Sequence, residues 1–199
     1  MCYPGSRAPM PHVVALSRTA WVIAGQDDTY PALRDVWLSS DFVSWHRMPD
    51  PPWQNRTQHA VCTLGGSMFV LGGQSGGQSG SAPYTFLADV WSINGTSGAW
   101  EQRATPPWTR RAGHGCAVLN GRLYITGGQD LFEPFGDVWW TRDGVDWTAS
   151  TLGNNLLSRV GARLVVMDDR MWFVGGVIGV EPQSPVVWSI DGVTWPQLP

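Results

Sequence analysis

The residues that could do chemistry are few, and their spacing argues against most of what they could do. The chain has four histidines, His12, His46, His59 and His114, and three cysteines, Cys2, Cys62 and Cys116. Its 13 basic residues are all arginine. A metal centre needs several such ligands placed to converge, usually at short spacings. No such cluster is visible, so no metal is expected. Three cysteines at long intervals do not read as a disulfide framework. Cys62 and Cys116 each lie in an apolar run and read as small core residues. Nucleophilic catalysis needs a base beside its nucleophile, and no local signature frames a Ser-His-Asp or Cys-His set. Gly72-Gly73 and its copies close apolar runs and do not open helices, so they are not phosphate loops. No catalytic residue and no cofactor is expected, and the reading leans away from an enzyme.

What stands out instead is recurrence. Arg56, Arg111 and Arg159 repeat at one position, Asp35, Asp89 and Asp137 at another, and Gln26, Gln74 and Gln129 at a third. A ligand site seldom needs the same residue in every unit. Residues repeated in every unit more often hold neighbouring units together. The repeated tryptophans read the same way, as core and hairpin packing.

The elements that carry these residues follow from the same recurrence. Four mostly apolar residues precede a small pair four times: AWVI before Ala24-Gly25, MFVL before Gly72-Gly73, LYIT before Gly127-Gly128, MWFV before Gly175-Gly176. Val-Trp recurs at Val36-Trp37, Val90-Trp91, Val138-Trp139 and Val187-Trp188, and a later tryptophan at Trp45, Trp100, Trp147 and Trp195. All three series share a period of about 50 residues, within the range of repeat architectures. Ahead of each apolar run lies a two-residue turn: Ser17-Arg18, Gly65-Gly66, Asn120-Gly121, Asp168-Asp169. Gly-Gly and Asn-Gly suit a tight hairpin because both central residues take positive φ. The strand after that turn is apolar without alternation, as in a sheet covered on both faces. A third strand holds Val-Trp, turns at Asp143-Gly144 or Asp191-Gly192, and returns through the later tryptophan.

Four antiparallel strands repeated radially make a propeller blade. The predicted fold is therefore all-β, a β-propeller of four four-stranded antiparallel blades at about 7–50, 56–105, 111–152 and 159–199. These form a single domain over 1–199. The ring either closes on itself or is a fragment of a larger propeller. An open ring would leave apolar blade faces uncovered and would self-associate.

The repeats resemble Kelch repeats, with Arg111-Ala-Gly-His114 and Leu119-Asn-Gly-Arg-Leu-Tyr-Ile-Thr-Gly127-Gly128 as the nearest copy. The resemblance runs over about residues 7–199. The hairpin Ser189-Ile-Asp191-Gly192-Val-Thr-Trp195 also resembles a shortened Asp-box of the sialidase type. Four positions depart from the pattern. Ala24 replaces the first glycine, and His12 lies one residue out of register with His59 and His114. Ala162 stands where those histidines do, and Val186 where the repeated aspartates do.

Composition excludes some partners. The net charge is −3 and no basic run is present, so nucleic acid is not expected. No apolar stretch approaches the roughly 20 residues of a membrane helix. The N-terminus carries Pro and Gly where an export signal would be apolar, which by default places the chain in the cytoplasm.

Loops on a rigid scaffold are where binding residues concentrate. The non-repeated loops between second and third strands supply the candidates: Tyr30 and Arg34, then Tyr84 and Phe86, then Asp130, Phe132 and Glu133. Trp53 and Trp108, each after Pro-Pro, are added as linker aromatics that either face the same way or pack between blades. The Kelch resemblance implies a non-catalytic module that holds a protein partner. The alternative is a carbohydrate-binding or carbohydrate-active propeller of the sialidase or galactose oxidase kind. Two carboxylates about 5–9 Å apart at the channel mouth would favour that alternative.

Overall fold

A computed structural model describes residues 12–16, 18–26, 32–76, 84–94, 98–151, 158–182 and 186–196. Every regular element among them is a strand. Blade 1 holds β1 (His12–Leu16), β2 (Thr19–Gly25), β3 (Leu33–Ser39) and β4 (His46–Arg47). Blade 2 holds β5 (Ala60–Leu64), β6 (Ser67–Ser75), β7 (Thr85–Asn94) and β8 (Trp100–Gln102). Blade 3 holds β9 (Ala112–Leu119), β10 (Arg122–Gln129), β11 (Val138–Thr141) and β12 (Trp147–Thr151). Blade 4 starts with β13 (Arg163–Met167) and β14 (Arg170–Val174), continues through a small β15 (Val177–Ile178) and β16 (Glu181–Pro182) ladder, and ends in β17 (Val187–Ser189).

Blades 1 to 3 are antiparallel four-stranded sheets in chain order. Blade 4 has three paired strands among the described residues, with Trp188 N–H donating to the Pro196 carbonyl at 3.2 Å where an outer strand would lie. The first hairpins turn as their dipeptides require, with positive φ at Gly65 and Gly66, Asn120 and Gly121, and Asp168 and Asp169.

The apolar second strands are covered on both faces because consecutive blades stack. Met68 and Val70 of β6 point back at Trp21 and Ile23 of blade 1. Phe69 and Leu71 point forward at Leu123 and Ile125 of blade 3. Tyr124 of blade 3 points forward in turn, at Met171 and Phe173 of blade 4. Three inter-blade cores result, and the linker tryptophans complete two of them. Trp53 and Trp108 are each 2 % exposed. Trp53 meets Trp91 and Trp100 edge-on, and Trp108 does the same with Trp147. They are wedges between blades and not surface aromatics, which removes both from the candidate site.

The Val-Trp landmark is out of register in the last blade. In blades 1 to 3 the third apolar residue of the run faces that tryptophan across the ladder: Val22 with Trp37, Val70 with Trp91, Ile125 with Trp139. In blade 4 Phe173 faces Val187, and Trp188 faces Trp172. Trp188 is therefore the counterpart of Trp140, one place beyond Trp139. The register follows Ser189 and its Asp191 turn, which align with Thr141 and Asp143.

The cysteine reading is also corrected. Cys62 of β5 and Cys116 of β9 form a disulfide between neighbouring blades, with Cα atoms 6.3 Å apart. The physical reason is parity. Cys62 pairs with Phe69, which faces forward, and Cys116 pairs with Ile125, which faces back. Side chains alternate along a strand, so the two sulfurs meet across one interface.

Candidate functional site

The repeated polar residues form the frame of the site. Arg56 is fully buried and its guanidinium donates to both carboxylate oxygens of Asp89, at 2.9 and 2.7 Å, and to the Gly72 carbonyl. Arg111 does the same with Asp137, at 2.6 and 2.8 Å, and with the Gly127 carbonyl. Each aspartate also accepts the indole N–H of the next tryptophan, Trp91 or Trp139. Such bidentate pairs are strong and geometrically selective. Burial alone would raise the Asp137 pKa, but the two Arg111 hydrogen bonds and its charge outweigh that and hold it below the usual carboxylate range. The main chain of the same arginines crosses to the preceding blade. Arg111 N–H donates to the Leu87 carbonyl, and the Arg111 carbonyl accepts from Gly73 N–H. Arg56 and Gly25, and Arg159 and Gly128, repeat the second bond. A side chain at the second glycine would lie 2.7 Å from the Thr57 carbonyl oxygen at Gly73, and as near that of Ala112 at Gly128. The double glycine is thus required by close backbone approach.

The hairpin aspartates are spent on their own turns. Asp143 Oδ1 accepts from Val145 and Asp146 N–H and from the Thr141 hydroxyl. Asp191 and Asp41 make the same set with Ser189 and Ser39. These bonds lower the pKa of Asp41 to about 2. They are turn-closing carboxylates, each held through Oδ1 by its own hairpin.

Two of the concavities among the described residues bear on the site. The first is a cleft of about 400 Å³ at the axis, lined by His12, Gln58, His59, Gly113, His114, Val160, Gly161, Ala162, Arg163 and Val177. His12 pairs with Ile23, Ala60 with Leu71 and Arg163 with Val174. These three positions therefore share one rung, and His59 and His114 sit one residue earlier. Burial first, then the nearby Arg163, lowers the His12 pKa to about 4; burial and Arg111 lower that of His114 to about 3. Burial also holds His59 well below the usual imidazole value. All three are neutral at pH 7, and Arg163 is the charged group of the described lining. No carboxylate pair lines this cleft among the described residues. Nor does any group of three His, Cys, Asp or Glu residues among them converge to hold a metal.

The second concavity lies in the loops that join second to third strands. A depression of about 190 Å³ is lined by Tyr84, Thr85, Phe86, Arg110, Asp130, Leu131 and Phe132. It brings together four of the sequence candidates: Tyr84 and Phe86 from blade 2, Asp130 and Phe132 from blade 3. Phe132 is 82 % exposed, Leu131 74 % and Tyr84 51 %. The loop is held by a turn in which Asp130 Oδ1 accepts from Phe132 and Glu133 N–H, at 2.8 and 3.0 Å. Below it, Phe135 is clamped under the Arg111 guanidinium, 4.5 Å away. The exposed dipeptide therefore stands on the Arg–Asp frame. Glu133 is exposed beside the patch and helps close the turn through its carbonyl. Arg34 lies elsewhere, paired with Asp50 at 3.3 Å. Tyr30 lies outside the described residues.

Leu131 and Arg110 join the patch although the sequence did not single them out. A signal for each was present. Leu131 adjoins Phe132 in a loop that does not repeat. Arg110 is the unrepeated neighbour of Arg111, and in a repeat protein the unrepeated neighbour is the one free to vary.

Four sequential blades, each marked by a double glycine or its variant and joined through buried arginines, define a Kelch-repeat β-propeller. The chain belongs to the KLHDC2/KLHL20/DRC7 Kelch-repeats domain family, whose model matches residues 4–197. It is 30 % identical over 125 residues to the F-box/kelch-repeat protein SKIP30 of Arabidopsis thaliana, covering 53 % of this chain and 35 % of that protein. It is 26 % identical over 136 residues to a Leucine-zipper-like transcriptional regulator 1 homolog of Drosophila melanogaster, covering 64 % and 14 %. Kelch-like protein 30 of Homo sapiens is 25 % identical over 121 residues, covering 57 % and 20 %. The chain thus spans about a third or less of the length of these relatives.

Proposed function

We propose that the chain is a protein-docking propeller whose contact surface is the loop patch of blades 2 and 3. The observation that carries this reading is the exposed Leu131-Phe132 pair beside Tyr84, with Arg110 and Asp130 at the edge of the depression. Aromatic anchors with an arginine at hand, ringed by polar groups, are the composition of energetic centres in protein interfaces. The loop is also preorganised by its Asp130 turn, which lowers the ordering cost of binding. Membership of the Kelch-repeat family and the Kelch names of two relatives favour a protein partner.

The test is quantitative capture of proteins by the full chain, compared with Phe132→Ser and with Val180→Ser as an equally exposed control on blade 4. A partner bound through this patch is lost by at least about tenfold with Phe132→Ser, the scale of an interface anchor, and retained with Val180→Ser. If every captured protein survives Phe132→Ser, the docking surface lies elsewhere.

A further inference from the structure

The disulfide and the loop patch straddle the same blade boundary. Tyr84 and Phe86 come from blade 2, whereas Arg110, Asp130, Leu131 and Phe132 come from blade 3 or the linker into it. Cys62 and Cys116 join the first strands of those two blades. Cys62 is buried in the core between them. Cys116 is half-buried and lines a cleft of about 150 Å³ that also holds Arg163. We propose that Cys62–Cys116 is a reversible thiol–disulfide device whose state sets how firmly the two halves of the loop patch are held together. Its consequence for binding rests on the docking reading above; its chemistry does not.

A disulfide opens by thiolate attack on a sulfur that the thiolate can reach. Cys116 is the more exposed of the two residues and lines the cleft, which makes its sulfur the point of attack in this proposal. The thiolate of a low-molecular-weight thiol such as glutathione attacks Cys116 Sγ and forms a new S–S bond there. The bond to Cys62 breaks, and its electron pair leaves on Cys62 Sγ, which takes up a proton from solvent. A second thiol attacks the small-molecule sulfur of the mixed disulfide and departs as the small-molecule disulfide, releasing Cys116. In sum, one protein disulfide and two thiols become two cysteines and one small disulfide. The protein gains two electrons and the thiols lose them. Arg163 in the shared cleft favours the released Cys116 thiolate, because a neighbouring cation stabilises it. The same charge makes Cys116 the group that attacks when an oxidised small-molecule disulfide closes the bond again. His12 and His114 line the cleft as neutral rings and do not offset that charge.

The test equilibrates the full chain in a series of reduced-to-oxidised glutathione buffers. Thiols are read by alkylation and peptide mapping, and amide hydrogen exchange is followed in each state. Cys62 and Cys116 should titrate together within the series. In the reduced state, amides of β7 and β9 should exchange at least about tenfold faster, as a local opening would cause, with β2 unchanged. Cys62→Ala should accumulate glutathione on Cys116, and Cys116→Ala should leave Cys62 unmodified. A bond that never forms in oxidised glutathione overturns the proposal. So does a bond that stays closed in reduced glutathione without denaturant, or one that opens with no change at the boundary. Because wild-type protein carries these readouts, poor folding of a variant does not blunt them. Failure of the docking reading looks different: exchange responds to redox state, but capture of a Phe132-dependent protein does not.

Discussion

At the scale of single residues, the buried arginines decide more than any other group. Arg111 is wholly buried, whereas the Asp137 side chain is 28 % exposed. Removing the carboxylate leaves a buried guanidinium with only carbonyl partners, and uncompensated buried charges of this kind cost about 3–5 kcal/mol. Partial exposure of Asp137 moves the expectation to the lower end, about 3 kcal/mol for Asp137→Ala by urea unfolding. Asp50→Ala breaks only exposed surface pairs, with Arg34 and Arg47, and should cost less than about 1 kcal/mol. Equal effects of the two would refute a framing role for the buried pair. Recurrence in three units marked these residues as structural and as ties between blades, whereas the ion pairs close within a blade and only the arginine main chain crosses to its neighbour. The binding patch was half legible in the sequence. Phe132 and Tyr84 stood out as aromatics in unrepeated loops, but nothing linear shows that loops about one repeat apart converge on one depression. Trp53 and Trp108 misled because a linker aromatic looks alike whether it covers a surface or fills a seam.

At the scale of the element, the third-to-fourth strand hairpin fits each blade to the one before it. Gly144 of blade 3 has φ +77° and lies over Phe69 of blade 2; Gly192 of blade 4 has φ +76° and lies over Tyr124 of blade 3. A Cβ at Gly144 would stand 2.2 Å from Phe69 Cε1, and one at Gly192 2.4 Å from Tyr124 Cε1. Gly121 has a similar φ of +69° but no atom within 4 Å of such a Cβ. Gly121→Ala should therefore show the backbone penalty alone, about 1 kcal/mol. Gly144→Ala should add the overpacking penalty and reach about 2–4 kcal/mol, a difference measurable by paired thermal melts. Identical losses would mean that only φ matters and that the ring contact is incidental. The Asp-Gly dipeptide announced the turn in the sequence, but the aromatic of the previous blade explains why glycine is used. The same hairpin sets the register of blade 4. The chain between Val187 and Ser189 is one residue shorter than between Val138 and Thr141, so matching Val-Trp to Val-Trp was bound to slip. The disulfide was within reach of the same arithmetic. Cys62 follows His59 by three residues and Cys116 follows His114 by two, which puts them on opposite faces of equivalent strands.

At the scale of the molecule, the blades differ in how much of each is covered. Blades 2 and 3 have a neighbour on both faces. The forward-facing residues of their second strands are shut away: Phe69 at 3 % and Leu71 at 0 % exposure, then Tyr124 at 2 % and Thr126 at 0 %. The equivalent residues of blade 4 are Trp172 and Val174, and here Trp172 is only half-buried while Val174 is 41 % exposed. Val165 and Met167 on β13 are exposed at 47 % and 57 % beside them. In a stack of repeats, stability is close to a sum of intrinsic terms and neighbour terms, so a unit missing one neighbour contact opens first. Amides of β14 should then exchange faster than those of β10 by at least about tenfold, the signature of a separate opening unit. The main chain of the repeated arginines does not obscure the comparison, because the Arg159 carbonyl bonds back to Gly128 as Arg111 does to Gly73. The forward face is one difference between the two strands; the fourth strand and the Arg111–Asp137 pair of blade 3 act in the same direction. Equal protection of β14 and β10 would show that the propeller unfolds as one block, with the exposed tryptophan face contributing nothing to local opening. Faster exchange at β14 would instead place the stiffest part of the molecule at blades 2 and 3, where the disulfide and the loop patch are found.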